Sequence, residues 1–174
     1  MSAWLNERSR NGGVDEIPLP EAAGRLWLCG KHFIGPDPEA ALERVGATAA
    51  VCLSEIGELA ERYPGYVSWL RANGPARALW YPIPDLHAPD AVRAMVLLDD
   101  LRGRLRSGQS LLMHCGAGIG RAGTVAAGLL ITWGVPLPEA LHRVGAHRPL
   151  AGPEAGAQTE LLEALAARPG GAGC

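Results

Sequence analysis

The chain has 174 residues, with 16 Lys and Arg against 18 Asp and Glu, 48% hydrophobic residues and a formal net charge of −2 at pH 7. This predicts one soluble domain and excludes the broadly basic surface that non-specific nucleic-acid binding requires. Because no apolar stretch reaches membrane-spanning length and the N-terminus lacks the apolar run of a secretory signal, we expect a cytoplasmic protein without nucleic-acid or membrane partners.

The predicted elements alternate between strands and helices after a polar, Pro- and Gly-punctuated arm at residues 1–20. Short apolar runs bounded by turn residues predict strands at 25–30, 48–54, 76–81 and 110–114. Helical spacing and Asp or Pro start signals predict helices at 37–45, within 55–72 with a break near 64, and at 89–106, 122–133, 136–147 and 152–167. A Gly-rich tail at 169–174 is predicted to be mobile.

This alternation predicts an α/β fold. We expect one domain over residues 21–168, with a central, mostly parallel sheet of about four to five strands flanked by helices. Ligands of such folds bind at the carboxyl ends of the strands. The loop that begins at Cys115 follows a predicted strand and therefore lies at such an end.

The segment HCGAGIGRAGT, from His114 to Thr124, passes from a predicted strand through a Gly-rich loop into a predicted helix. Glycines allow several backbone amides to point inward, and the helix N-terminus adds partial positive charge, so the loop is suited to an anion. Arg121 can meet two oxygens of a phosphoryl group at once. These donors also favour the thiolate form of Cys115 over the thiol. A structural turn with an inert cysteine is the alternative.

The four cysteines lie far apart in the sequence and form no Cys-x-x-Cys pair, so we expect neither a structural metal nor a cofactor. The three besides Cys115 are expected to be thiols, either buried and inert or, for Cys29 and Cys52, available to form a protective disulfide with an oxidised Cys115.

The residues HCGAGIGR resemble the His-Cys-x5-Arg signature of the protein tyrosine and dual-specificity phosphatase superfamily. The resemblance extends over about residues 25–167 and is greatest to the small atypical dual-specificity phosphatases. It implies that Cys115 is the nucleophile and Arg121 the phosphate clamp. It also implies that the loop between strand and helix is the phosphatase P-loop. The residues expected to bind substrate are His114, Gly116, Ala117, Gly118, Ile119, Gly120, Arg121 and Ala122.

The segment Trp80-Tyr-Pro-Ile-Pro-Asp85 resembles the general-acid loop of the same superfamily. Departure of an alkoxide or phenoxide requires a proton, which Asp85 on a Pro-stiffened loop can supply. The alternatives are that Asp85 only stabilises a turn, or that Asp90 is the acid. Asp90 is better suited to the start of a helix.

Three further residues occupy positions to which the resemblance gives a role. His114 is expected to hold the loop and tune the thiolate, and Arg148 to be mainly architectural. Gln158 is a candidate site residue, with a solvent-facing position on a helix as the alternative. Ala122 departs from the family pattern, because a Ser or Thr usually follows the arginine and assists release of the thiolate from phosphocysteine. We therefore expect slow hydrolysis of the phosphoenzyme and do not expect Thr124 to substitute.

The resulting prediction is a metal-independent phosphomonoesterase that acts on a phosphorylated protein or peptide through a phosphocysteine. The five residues between Cys115 and Arg121 are uncharged, which disfavours highly charged lipid headgroups and RNA triphosphates and favours phosphotyrosine. Phosphoserine and phosphothreonine stay open as further substrates. The alternatives are a phosphate-binding pseudophosphatase with little turnover and a rhodanese-like sulfurtransferase, which would not need the Asp85 loop.

Overall fold

The computed structural model describes residues 3–169, so the predicted mobile tail lies outside the described residues except for Pro169. The strands are β1 (Val14–Ile17), β2 (Leu26–Gly30), β3 (Ala49–Cys52), β4 (Ala78–Trp80) and β5 (Leu111–Cys115). The helices are α1 (Ala3–Asn11), α2 (Lys31–Ile34), α3 (Pro38–Val45), α4 (Pro64–Asn73), α5 (Ala91–Arg106), α6 (Gly120–Thr132), α7 (Leu137–His147) and α8 (Gly156–Ala167). A 3₁₀ turn covers Ile56–Glu58.

The five strands form one sheet in the order β1-β2-β5-β3-β4. The pairs β2–β5, β5–β3 and β3–β4 are parallel, and β1 pairs with β2 antiparallel at one edge. The prediction of an α/β fold with a mostly parallel sheet of four to five strands is confirmed. Strand β5 is central, and its last residue, Cys115, pairs with Gly30 of β2.

Helices cover both faces of the sheet and form two apolar cores. The larger core lies between the sheet and helices α5 to α8, and the smaller core lies between the sheet and helices α2 to α4. Every residue of β3 and β5 is buried, as expected for parallel strands covered on both faces. Helix α6 begins directly after the loop at Cys115 and is buried along most of its length. The loop is therefore held between a central strand and a central helix.

The N-terminal segment differs from the predicted arm. Residues 3–17 contain α1 and the edge strand β1, and Ile17 of β1 is buried in the larger core. The sequence Val-Asp-Glu-Ile of β1 is short and carries two acidic residues, which is a weak strand signal but is typical of an edge. The domain boundaries at residues 21 and 168 stay a prediction. Over residues 3–169, no helix has the length and apolar character needed to span a bilayer.

Candidate active site

Cys115 lies at the carboxyl end of the central strand, where the sequence predicts a ligand site. Cys115 is 3% exposed, and residues 116–119 lead from it into the first turn of α6. The strand, loop and helix thus follow one another as the sequence predicts. All of the predicted loop residues, from His114 to Ala122, come together here.

Hydrogen bonds from outside the loop determine the direction of its peptide groups. The carbonyl oxygen of Gly116 accepts from the amide of Lys31 at 2.9 Å. The carbonyl oxygens of Ala117 and Gly118 accept from Nη2 and Nε of Arg148, at 2.8 and 2.7 Å. In a planar trans peptide, the next residue's N–H points away from the carbonyl. The amides of residues 117–119 therefore face the opposite side of the loop from these donors, which makes an anion cradle.

Arg148 is buried and also contacts the edge strand. Its Nη1 donates to Oδ2 of Asp15 at 2.7 Å, and Asp15 is paired with Arg8 as well. These contacts support the architectural role expected of Arg148. Gly118 next to it has a φ of +73°, and a Cβ there would collide with the carbonyl oxygen of Cys29. Only glycine fits this position without displacement of the strand.

Arg121 is held in the first turn of α6 by a carboxylate that the sequence analysis did not identify. Its Nη1 and Nη2 donate to the two carboxylate oxygens of Glu58 at 2.8 and 2.7 Å, and Nη1 also donates to the Ile83 carbonyl at 2.8 Å. Desolvation opposes the charge on Arg121, but the hydrogen bonds to Glu58 and the nearby Cys115 and Asp85 outweigh it and raise the pKa of Arg121. Its Nε is buried and has no hydrogen-bond partner among the described residues.

Asp85 lies beside Arg121, with Oδ1 at 3.3 Å from Nη2 and the side chain 69% exposed. The loop that carries it is anchored at the end of β3, because the amide of Tyr81 donates to the Cys52 carbonyl at 2.8 Å and the amide of Ile83 donates to the Leu53 carbonyl at 2.9 Å. An exposed carboxylate at the mouth of the cradle can reach a leaving group. Asp90 instead caps helix α5, where its side chain accepts from the amide of Arg93. This agrees with the expectation that Asp90 is suited to the start of a helix.

His114 belongs to a buried hydrogen-bond network behind the loop. Its Nδ1 lies 3.1 Å from the carbonyl oxygen of Cys115, and its Nε2 lies 2.7 Å from the hydroxyl of Tyr66. Because a carbonyl only accepts, Nδ1 carries the proton and Tyr66 donates to Nε2. Burial is the main cause that lowers the pKa of His114 to about 4, so the ring is neutral near pH 7. The network fixes the tautomer and the direction of the Cys115 carbonyl.

Gln158 is fully buried, so the solvent-facing alternative is wrong. Its Oε1 accepts from the amide of Glu154 at 2.7 Å, and its Nε2 donates to the carbonyl of His87 at 3.3 Å. Gln158 thus connects the Asp85 loop to the segment before α8. Glu154 in that segment lies directly against Gly120 of the loop, where any Cβ would collide with its carboxylate. The amide group of Gln158 is bonded to backbone partners on both sides, and its role at the site stays a prediction.

The residue after Arg121 offers no hydroxyl to the site. Ala122 is fully buried, and Thr124 lines a small cavity with Leu97 and Leu161, between helices α5 and α8. The hydroxyl of Thr124 has no partner among the described residues. Its position is in keeping with the expectation that Thr124 does not replace the missing hydroxyl.

Cys29 and Cys52 are poorly placed to protect Cys115. They flank His114 in the sheet and face the smaller core, whereas Cys115 belongs to the larger core. Burial is the main cause that raises the pKa of Cys52 to about 12, and it raises that of Cys29 as well. This supports the expectation that both are buried, inert thiols rather than partners in a protective disulfide. Among residues 3–169, no three His, Cys, Asp or Glu side chains are grouped to hold a metal ion.

Three residues that support the site escaped the sequence analysis: Asp15, Glu58 and Tyr66. Each lies on a different element: Glu58 pairs with Arg121, Tyr66 bonds to His114, and Asp15 pairs with Arg148. A single sequence carries no spacing signal for such contacts. The short edge strand around Asp15 and the Glu55-x-x-Glu58 capping pattern are the only local signals near them.

Comparison with known proteins agrees with this geometry. A family model described as Swiss Army Knife protein, DSP-PTPase phosphatase domain, matches residues 27–169. A search of curated proteins gives no match. The crystal structure of Tk-PTP in the active form is 31% identical, covers 86% of this chain and 99% of that chain, and superposes with a TM-score of 0.67.

Two more distant structures share the fold. Kinase associated phosphatase, with its catalytic-site cysteine substituted by serine, is 21% identical, covers 90% of this chain and 97% of its own, and gives a TM-score of 0.72. PTPMT1 in complex with PI(5)P is 15% identical, covers 88% and 94% of the two chains, and gives a TM-score of 0.67. From the loop at Cys115, the fold around it and the family match, we conclude that the chain belongs to the DSP-PTPase family of cysteine-based phosphatases.

Proposed function

We propose that this phosphatase hydrolyses phosphotyrosine in proteins or peptides, in two steps, through a phosphocysteine at Cys115. In the first step the thiolate of Cys115 attacks phosphorus and the bond from phosphorus to the phenolic oxygen breaks. Asp85 gives its proton to the departing oxygen. In the second step Asp85 accepts a proton from water, water attacks the phosphocysteine, and the products are phosphate and the free thiolate.

The observation that carries the proposal is the arrangement of donors above Cys115. The amides of residues 117–119 and the unpartnered Nε of Arg121 are donors that a phosphoryl group can satisfy. A buried donor without a partner is costly, so its presence beside a nucleophile supports an anionic ligand. Such donors, fixed before the reaction, stabilise the charge that develops on the equatorial oxygens.

The choice of phosphotyrosine follows from the chemistry of the cradle. Between Cys115 and Arg121 the loop carries no charged side chain, so it offers backbone amides to one phosphoryl group and no cation to a second phosphate. The neighbour PTPMT1 is described with PI(5)P, but its 15% identity carries the fold alone. The comparisons support neither a binding module without turnover nor sulfur transfer.

The test is hydrolysis of p-nitrophenyl phosphate in the presence of EDTA by wild type, Cys115→Ser and Asp85→Asn. We expect metal-independent release that is abolished in Cys115→Ser and lowered in Asp85→Asn. An enzyme that releases no p-nitrophenol, even as one stoichiometric burst, would refute the proposal. Phosphotyrosine, phosphoserine and phosphothreonine peptides of one sequence then establish which residue is preferred.

A further inference from the structure

A basic depression lies on the surface beside the candidate active site. It has a volume of about 650 Å³ and forms where α1, α2, α3 and the turn before α4 meet. We call it the rim pocket, and its charged and aromatic lining consists of Glu7, Arg10, His32, Arg44, Arg62 and Tyr63. None of these residues belongs to the loop from Cys115 to Arg121 or to the Asp85 loop.

The rim pocket is connected to the outer wall of the P-loop through α2. Gly30, which pairs with Cys115, is followed directly by Lys31, whose amide donates to the Gly116 carbonyl at 2.9 Å. His32 is the next residue and lines the pocket, where its Nδ1 lies 2.6 Å from the hydroxyl of Tyr63. A group in the rim pocket is therefore only a few residues of extended chain from a phosphoryl group on Cys115, at about 3.3 Å per residue.

Two cations, Arg62 in the rim pocket and Lys31 beside it, form no ion pair with the residues that the structure describes. The one acidic lining residue, Glu7, is already bound by the two terminal nitrogens of Arg44. Arg62 is exposed, stacks on the ring of Tyr63 at 5.7 Å and forms no ion pair with any residue in the described part of the chain. Lys31 donates its Nζ to a backbone carbonyl, that of Glu58, at 3.1 Å.

The same field acts on His32. Burial is the largest cause that lowers the pKa of His32, and the charges of Arg62 and Lys31 lower it further. Both cations therefore lie close enough to the ring to disfavour a third positive charge. An anion held near these two cations would be stabilised by both.

We propose that the rim pocket binds an acidic group, a carboxylate or a second phosphate, that lies within about four residues of the phosphotyrosine in a peptide substrate. This rests on the proposed function. The P-loop holds one phosphoryl group and is otherwise uncharged, so selection for charge near the phosphotyrosine falls to Arg62 and Lys31 outside it. Neighbouring positive charge attracts such a substrate and orients it, and this effect weakens with salt.

The experiment compares phosphotyrosine peptides in which Glu replaces Ala at each position from four before to four after the phosphotyrosine. The expected result is a kcat/KM raised about 3–5-fold by Glu at one or two adjacent positions, the size of an exposed ion pair. In Arg62→Ala the ratio of kcat/KM for the Glu peptide to the Ala peptide should fall to about 1. Arg71→Ala is the matched control, because Arg71 is exposed, lies on nearby α4 and lines no part of the rim pocket.

The proposal would be overturned if Glu helped at no position, or if Arg62→Ala retained the advantage of the Glu peptide. Hydrolysis of phosphoinositide vesicles that depends on Arg62, without any preference among the peptides, would also overturn it. Failure of the proposed function has a different signature, since wild type would then release nothing from any of the peptides or from p-nitrophenyl phosphate.

Discussion

Replacing Glu58 by Gln tests how much Arg121 depends on its half-buried carboxylate partner. In the wild type the Arg121 side chain is 2% exposed and that of Glu58 is 22% exposed, and two hydrogen bonds of 2.8 and 2.7 Å join them. A glutamine keeps the shape and one acceptor oxygen, but its NH₂ group faces a guanidinium N–H. The variant thus loses one charge-assisted hydrogen bond and leaves Arg121 with less compensation.

The magnitude follows from these contacts. A hydrogen bond to a charged group contributes about 1.5–3 kcal/mol, and partial exposure of Glu58 lets water recover part of that. We expect the free energy of unfolding to fall by about 2 kcal/mol, which lowers the Tm by about 4–8 °C in a domain of this size. Since Arg121 also loses its orientation, kcat/KM should fall about 10-fold or more.

The pH dependence gives a second readout of the same pair. Burial opposes the charge on Glu58, but the hydrogen bonds from Arg121 outweigh it and lower the pKa of this carboxyl below its ordinary value of 4.5. A lowered pKa contributes stability above the unfolded pKa and loses it as the pH falls through the folded pKa. The difference in stability between wild type and Glu58→Gln should therefore be full near pH 7 and shrink below about pH 4.

Urea unfolding between pH 3.5 and pH 7.5 and steady-state hydrolysis of p-nitrophenyl phosphate supply these measurements. Glu61→Gln is the control, because Glu61 is exposed, lies three residues away and forms no ion pair among the described residues. A Glu58→Gln protein with the stability and kcat/KM of the control would show that the carboxylate does not hold Arg121, and the account of the site would then be wrong.

Three further predictions concern the loop and its supports. Wild type should lose up to about 3 kcal/mol of stability as the pH falls from 6.5 toward 4, because the unfolded chain takes up a proton there that buried His114, with a pKa of about 4, does not. In His114→Asn this loss should be shallower, and parallel stability curves of the two proteins from urea unfolding would contradict the prediction. Ala122→Ser should raise steady-state turnover of p-nitrophenyl phosphate about 10-fold and abolish any burst, and unchanged turnover would refute slow phosphoenzyme hydrolysis. Arg148→Met should destabilise the fold by about 3 kcal/mol, because Asp15 and two loop carbonyls lose a partner, with an unchanged urea midpoint as the contrary result.

The parts of the molecule that the sequence predicts are those with strong local signals. The strand ending at Cys115, the Gly-rich loop and the helix containing Arg121 follow one another in the sequence, so local composition is sufficient to place them. The cap at Asp90 and the helix it begins were also predictable, because capping depends on residues three apart.

The parts that escaped prediction depend on contacts between distant segments. Glu58 bonds to Arg121, 63 residues away in the sequence, and Tyr66 bonds to His114, 48 residues away. No local sequence pattern predicts either contact. The sequence pattern around Asp15 predicts a polar, extended segment rather than a strand. The strand is stabilised by pairing with β2 and by the contact of Asp15 with Arg148, not by its own apolar residues. Burial of Gln158 likewise depends on the packing of α8 against the rest of the domain.

The central claim is that phosphate leaves its ester by way of Cys115, and the most direct measurement is the mass of the protein after mixing with p-nitrophenyl phosphate and rapid acid quench. The account predicts an added mass of one phosphoryl group in wild type, located by peptide mapping to the peptide that contains Cys115, and absent from Cys115→Ser. Turnover with no phosphoryl group on the protein, or with the group on another residue, would contradict it.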